Sequence, residues 1–197
     1  MRFGGWLFRH RTSIPLPIAL ALVLLPPQRL SHSLFLDAAG AALVALGEAM
    51  RLWAVRHIGV VSRTRSDRLG PLVSTGPFAR VRNPLYIGNL ALLVGFALSA
   101  HLPLLAPIVA AVLAAEYHAI VRWEEALLES RRGDEYRAYA ARVPRWLPTM
   151  QSTQSMQSSQ RPEGPPTFSW GETLYSERGT LIAIALGCLV VWIKLKT

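Results

Sequence analysis

Apolar positions in this chain gather into long blocks instead of a thin helical stripe. Ile14 to Leu25 is apolar throughout, and it is followed by Pro26 and Pro27. A second run, Leu34 to about Val55, is rich in Ala, Gly and Leu and is broken only by Asp37, Glu48 and Arg51. A third covers Leu85 to Ala100, and a fourth Leu102 to Val121, with Glu116 and His118 near its end. A bilayer-crossing helix needs roughly 20 mostly apolar residues, so the pattern predicts an all-α, polytopic transmembrane bundle of four helices. Ser99–Pro103 serves as a tight hairpin, and Pro103 lies early enough in the fourth helix to be tolerated. No small-x-small cleavage site follows the first run, which therefore reads as a retained helix rather than a signal peptide. A fifth run, Thr180 to Ile193, ends in Lys194 and Lys196 and predicts a further helix that spans, lies in the interface or packs against the bundle.

Composition agrees. Of 197 residues, 51% are apolar and 17% charged, and the mean hydropathy is +0.28. That charge content is low for a soluble domain. One cysteine, Cys188, rules out an internal disulfide and a cysteine-based zinc site, and it reads as a packing residue. The net charge of +9 is unevenly spread: residues 51–82 carry seven Arg against Asp67 alone. Basic blocks between apolar runs mark cytoplasmic loops, so this charge is read as topology and not as nucleic-acid binding. The N-terminus, the 51–84 loop and the 122–178 segment are expected on the cytoplasmic side of a bacterial inner membrane or an endomembrane. The expected organisation is a core over 1–148 with its motif region at 57–148, a turn-rich mobile linker at 149–178 and an apolar helix at 179–197. Tryptophans 6, 53, 123 and 146 near helix ends fit interfacial anchoring.

Two segments carry candidate chemistry. Thr75-Gly-Pro-Phe-Ala-Arg-Val-Arg-Asn-Pro-Leu-Tyr-Ile-Gly-Asn89 leads into the third helix. Gly76-Pro77 is a turn signal, and Asn83 before Pro84 is placed to cap a helix whose first residue is proline. The second segment places Glu124 and Glu125 side by side at the end of the fourth run, then spaces Tyr136, Tyr139, Val143 and Trp146 by three and four. That spacing predicts an amphipathic helix lying on the bundle end or in the headgroup layer. Paired carboxylates at a membrane boundary call for solvent, arginine partners or a cationic ligand. Glu48, inside the second run, is expected to face the bundle interior. His57, His101 and His118 lack any metal-ligand spacing.

In this order the segments, Gly-Pro-Phe-(x)3-Arg-Asn-Pro-Leu-Tyr-Ile-Gly, a hairpin, Glu-Glu-(x)2-Leu-(x)7-Tyr-(x)2-Tyr and Arg-Val-Pro-Arg-Trp-Leu-Pro, resemble the isoprenylcysteine carboxyl methyltransferase and phospholipid N-methyltransferase superfamily. The resemblance covers residues 57–148. It implies an integral-membrane enzyme that uses S-adenosylmethionine on a lipophilic acceptor, either a prenylcysteine-like carboxylate or a lipid amine. It further implies that Gly76, Pro77, Arg82, Asn83, Pro84, Tyr86 and Gly88 help to build the cofactor pocket. Glu124 and Glu125 close that pocket, and the segment around Tyr136, Tyr139 and Arg145 folds over the cofactor. Where the family usually has histidine before the proline, this chain has Asn83, which hydrogen-bonds but does not titrate.

These residue types suit methyl transfer, in which the protein mainly aligns acceptor and methyl carbon and excludes water. Glu124 and Glu125 suit an amino group or ribose, and Arg82 or Arg145 a carboxylate; Arg145 and Glu125 are the candidates nearest the chemistry. No glycine-rich phosphate loop follows a strand-like run, which argues against a soluble dinucleotide-type fold. Two alternatives stay open at this level. One is an NADPH-dependent membrane reductase of the sterol or steroid type, although Leu85-Tyr-Ile-Gly-Asn89 lacks the acid those enzymes carry there. The other is a non-catalytic bundle that binds anionic lipid or a partner. Lipid and a lipophilic small molecule are the expected partners, with neither nucleic acid nor metal.

Overall fold

The computed structural model describes residues 2–11, 13–28, 34–59, 72–148 and 167–196. The basic cluster Arg63, Arg65, Asp67 and Arg68, and residues 149–166 of the proposed linker, lie outside the described residues. Among the described residues seven α-helices follow one another: α1 Arg2–His10, α2 Pro15–Leu24, α3 Leu34–Ile58, α4 Pro84–Ser99, α5 Leu105–Arg132, α6 Asp134–Arg142 and α7 Trp170–Lys194. A short 3-10 turn, Gly76–Ala79, precedes α4, and no strand forms among the described residues. Helices α3, α5 and α7 are each long and apolar enough to cross a membrane, and α1 with α2 forms a pair bent by 52°. Their outward faces carry Leu46, Ile108, Val112, Ile182, Leu186 and Trp192, all exposed, as lipid-facing surfaces require. The all-α membrane architecture expected from the apolar blocks is therefore the one observed.

Helix α4 is central, touching α3, α5 and α7. Its closest partner is α3, because glycines meet at two levels of an antiparallel pair. A Cβ on Gly47 would stand 2.7 Å from the Gly88 carbonyl oxygen, and one on Gly40 would stand 2.9 Å from that of Gly95. Without a hydrophobic drive between helices in lipid, such backbone approach is what gives dispersion contacts their strength. Helix α1 uses the same device: Gly4 and Gly5 lie directly on Trp123 of α5. Leu7, Phe8, Val109, Leu113, Tyr117 and Ile120 form the largest buried cluster between α1 and α5.

Helix boundaries depart from the apolar blocks in two places. The fourth run ends at Val121, but α5 continues to Arg132, since Arg-Trp-Glu-Glu-Ala-Leu-Leu-Glu are good helix formers. It stops at Gly133, whose φ of +51° a side chain would strain. Glu124 and Glu125 thus sit within a helix rather than at its mouth. Helix α7 begins at Trp170, well before the apolar run, because Ser169 and Glu172 close a reciprocal capping box. Its single thiol, Cys188, is exposed rather than packed: it falls on the outward face of α7. At the hairpin end of the bundle, His101 Nε2 meets Asp37 Oδ1 at 2.7 Å, and Lys194 Nζ donates to the Leu22 carbonyl at 2.8 Å.

Candidate functional site

The two motif segments come together where α4 begins. The 3-10 turn places Pro77 and Phe78 in the interior, and Gly76 adopts φ +60° with the His57 ring 2.4 Å from where a Cβ would be. His57 Nδ1 in turn lies 3.0 Å from Thr75 Oγ1. Asn83 holds the N-cap position and Pro84 follows as the first helical residue, as the dipeptide predicts. The Asn83 side chain makes no capping bond. It is drawn away instead: Nδ2 donates to the Arg145 carbonyl at 3.1 Å. Arg82 N donates to the Pro144 carbonyl at 2.9 Å beside it. These two bonds fasten the Arg-Val-Pro-Arg segment to the entrance of α4.

Helix α6 supplies the wall between. Tyr136, Tyr139 and Val143 are buried together against Leu72 and Leu128, and Trp146 joins the main cluster. The spacing of three and four is therefore a packing face. The Tyr139 hydroxyl donates to the Phe78 carbonyl at 2.8 Å, tying α6 to the 3-10 turn, and burial raises its pKa above the ordinary tyrosine range.

The charged groups converge on Glu125. Arg145 grips it with a fork: Nε lies 3.0 Å from Oε1, and a terminal guanidinium nitrogen 2.6 Å from Oε2. Arg82 approaches Oε1 at 3.0 Å from the other side. Its same nitrogen donates to the Tyr136 hydroxyl at 3.3 Å. The Arg82 and Glu125 side chains are only 14% and 13% exposed, so solvent screens this pair little. Hydrogen bonding to Glu125 raises the Arg145 pKa, and burial raises that of Tyr136, which stays a neutral hydroxyl at physiological pH.

An open cleft of about 390 Å³ is lined by Arg82, Glu125, Glu129, Tyr136, Arg137, Ala140, Ala141 and Arg145. Of the residues singled out by sequence, Arg82, Glu125, Tyr136 and Arg145 meet there. Glu124 turns elsewhere, accepting from the Tyr86 hydroxyl at 3.0 Å. Gly88 lies on the opposite face of α4, against Gly47 and Arg51. Gly76, Pro77, Asn83, Pro84 and Tyr139 do not line the cleft, although Asn83 bonds to the carbonyl of Arg145, which does. Glu129, Arg137, Ala140 and Ala141 were not read from the sequence. Each is four residues beyond one that lines the cleft or directly follows one, a signal that needed α5 and α6 to be drawn at their full lengths. Arg11 of the N-terminal segment is also near enough to act electrostatically on Tyr86 and Glu124, and nothing in the spacing pointed to it.

Residues 36–134 match the family model described as "Phospholipid methyltransferase". The chain is 35% identical over 107 residues to the nickel-cobalt-cadmium resistance protein NccN of Alcaligenes xylosoxydans xylosoxydans, covering 54% of this chain and 47% of that protein. It is 29% identical over 107 residues to the cobalt-zinc-cadmium resistance protein CzcN of Cupriavidus metallidurans, covering 54% and 46%. The match thus spans about half the length of these relatives. No solved structure matches the chain. Among the described residues, no group of three or more His, Cys, Asp or Glu side chains could hold a metal ion. The family match covers half of the chain and takes in both the turn before α4 and the Glu124–Glu125 pair: the protein belongs to the phospholipid methyltransferase family.

Proposed function

We propose that this protein transfers a methyl group from S-adenosylmethionine to a lipophilic acceptor at the membrane–cytoplasm boundary, with its N-terminus and both motif segments on the cytoplasmic side. The observation that carries this reading is the Arg82–Glu125–Arg145 clamp at the floor of an open cleft. Two guanidinium groups share one carboxylate there, and Arg82 Nε is buried without a hydrogen-bond partner among the described residues. That surplus donor capacity fits the carboxylate of the cofactor. Glu125 and Glu129 offer acceptors for its amino group, and Ala140 and Ala141 an apolar surface beside Tyr136. Gly76, Pro77, Asn83, Pro84, Tyr86, Gly88 and Tyr139 would hold this frame, and Glu124 would anchor it from the bundle side.

When bound, S-adenosylmethionine supplies a methyl group on an already activated sulfonium. The chain's own task is then alignment and exclusion of water. Arg145 and Glu125 hold the reacting partners in register, and α6 covers the cleft. A prenylcysteine-like carboxylate is ionised and needs no base, whereas a lipid amine must lose a proton before it attacks.

Calorimetry on detergent-purified protein tests the reading. Saturable S-adenosylmethionine binding that is lost in Glu124→Gln/Glu125→Gln supports it, and prenyl-thioether and amine-lipid acceptors then separate the two substrate classes. A folded wild type that binds none overturns it, and NADPH binding in that case identifies a membrane reductase.

A further inference from the structure

Outside the cleft, three helices converge on one arginine. Arg51 of α3 donates one guanidinium nitrogen to Asn89 Oδ1 of α4 and the other to the Glu177 carboxylate of α7. The second nitrogen also reaches Thr180 Oγ1 at 3.0 Å, and Arg51 Nε stands 3.4 Å from Glu48 Oε2. Asn89 stands one helical turn from Tyr86, on the same face of α4. The Tyr117 ring lies 4.9 Å from that of Tyr86, and Tyr86 holds Glu124. A line therefore runs from Glu177 through Arg51 to Asn89, along one turn of α4 to Tyr86, and on to Glu124, the peptide neighbour of Glu125.

Helix α7 is built for this contact. It presents Thr173, Ser176 and Glu177 to the interior, all buried, while Leu174, Tyr175, Ile182 and Leu186 stay exposed. A helix that merely covered apolar surface would turn its polar residues the other way. A buried guanidinium in a membrane bundle also demands a counter-charge. Here part of it comes from beyond the family-matched segment, which ends at residue 134.

We infer that Glu177 is a positioning residue for methyl transfer: by holding Arg51 on Asn89 it sets the first turns of α4 and the Tyr86 hydroxyl there, and through Tyr86 the Glu124 carboxylate whose peptide neighbour, Glu125, enters the cleft. This rests on the methyltransferase reading above. Helix α7 is then a working part of the enzyme and not a cover.

The test uses the full chain carrying Arg51→Gln, Glu177→Gln or both, with thermal midpoint, methyl-transfer kinetics and amide exchange over residues 116–125 as readouts. Arg51→Gln leaves both Glu177 and Glu48 without their arginine and lowers the midpoint most, Glu177→Gln lowers it less because Arg51 still faces Glu48, and the double change recovers part of the loss. The double variant is expected to keep kcat about tenfold down at unchanged KM for S-adenosylmethionine, with faster exchange over 116–125. Recovery of wild-type kcat together with the midpoint would reduce the pair to a brace and overturn the inference. Wild-type kcat in a single variant would do the same. Should the single variants fail to fold, Glu177→Asp keeps the charge at a shorter reach and is expected to give an intermediate kcat; a wild-type value there is negative. If the wild type neither binds S-adenosylmethionine nor transfers methyl, the methyltransferase reading fails on its own. Unchanged exchange over 116–125 in the double variant then rejects the coupling separately.

Discussion

Glu124 and Glu125 are peptide neighbours whose carboxylates serve opposite sides of the molecule. Glu124 turns into the bundle and accepts from Tyr86 at 3.0 Å, whereas Glu125 turns out into the cleft and is forked by Arg145, with Arg82 on its other oxygen. Successive helical residues are about 100° apart, which is enough to divide an acidic pair between an interior and a surface.

This division predicts unequal effects. Glu125→Gln removes a charge shared by two arginines and should weaken S-adenosylmethionine binding at least about tenfold, the scale of a charge-assisted hydrogen bond. Glu124→Gln keeps an acceptor for Tyr86 and should shift affinity by less than about threefold. Separate titrations of the two variants decide it, and equal losses would contradict the geometry.

Arg145 and Glu125 should be energetically coupled. A double-mutant cycle on unfolding, with Arg145→Gln and Glu125→Gln, is expected to return about 1–2 kcal/mol. The low end is favoured because the Arg145 side chain is 33% exposed.

The crossing of α3 and α4 predicts a split among glycines. Gly47→Ala and Gly88→Ala push a methyl group into backbone at 2.7–2.8 Å and should cost about 1–3 kcal/mol. Gly179→Ala meets nothing within 4 Å and should be neutral or stabilising by up to about 1 kcal/mol. Thermal unfolding in detergent ranks the three.

Tyr139→Phe should destabilise the protein by about 1 kcal/mol through loss of the bond to the Phe78 carbonyl. Burial places the folded-state pKa above the ordinary value of 10.0. The hydroxyl's contribution is therefore complete below that value and is lost as pH rises through the higher folded one. Stability of wild type and Tyr139→Phe should converge at strongly alkaline pH.

Ser169→Ala removes one half of the capping box at the start of α7 and should cost about 1 kcal/mol. Amide exchange in the first turn of α7 should accelerate while the rest of that helix is unchanged.

The amino-acid sequence by itself determined the all-α membrane architecture, because runs such as Leu34–Val55 and Leu102–Val121 are too long and too apolar to be anything else. It also determined the family, since the turn through Gly76, Pro77, Asn83 and Pro84 and the Glu124–Glu125 pair follow one another in a fixed order along the chain. Cys188 and the starting point of α7 were misplaced by the same reasoning: hydropathy marks an apolar block, but not which side of it meets lipid, nor a cap that lies outside it. Tertiary structure alone decided which glutamate enters the cleft, that Asn83 bonds to Arg145 instead of capping its helix, and that Glu177 neutralises Arg51 from 126 residues away. Periodicity describes the faces of one helix. What stands opposite each face is settled only when close glycine contacts bring α3 against α4 and buried charges must find partners out of reach of water.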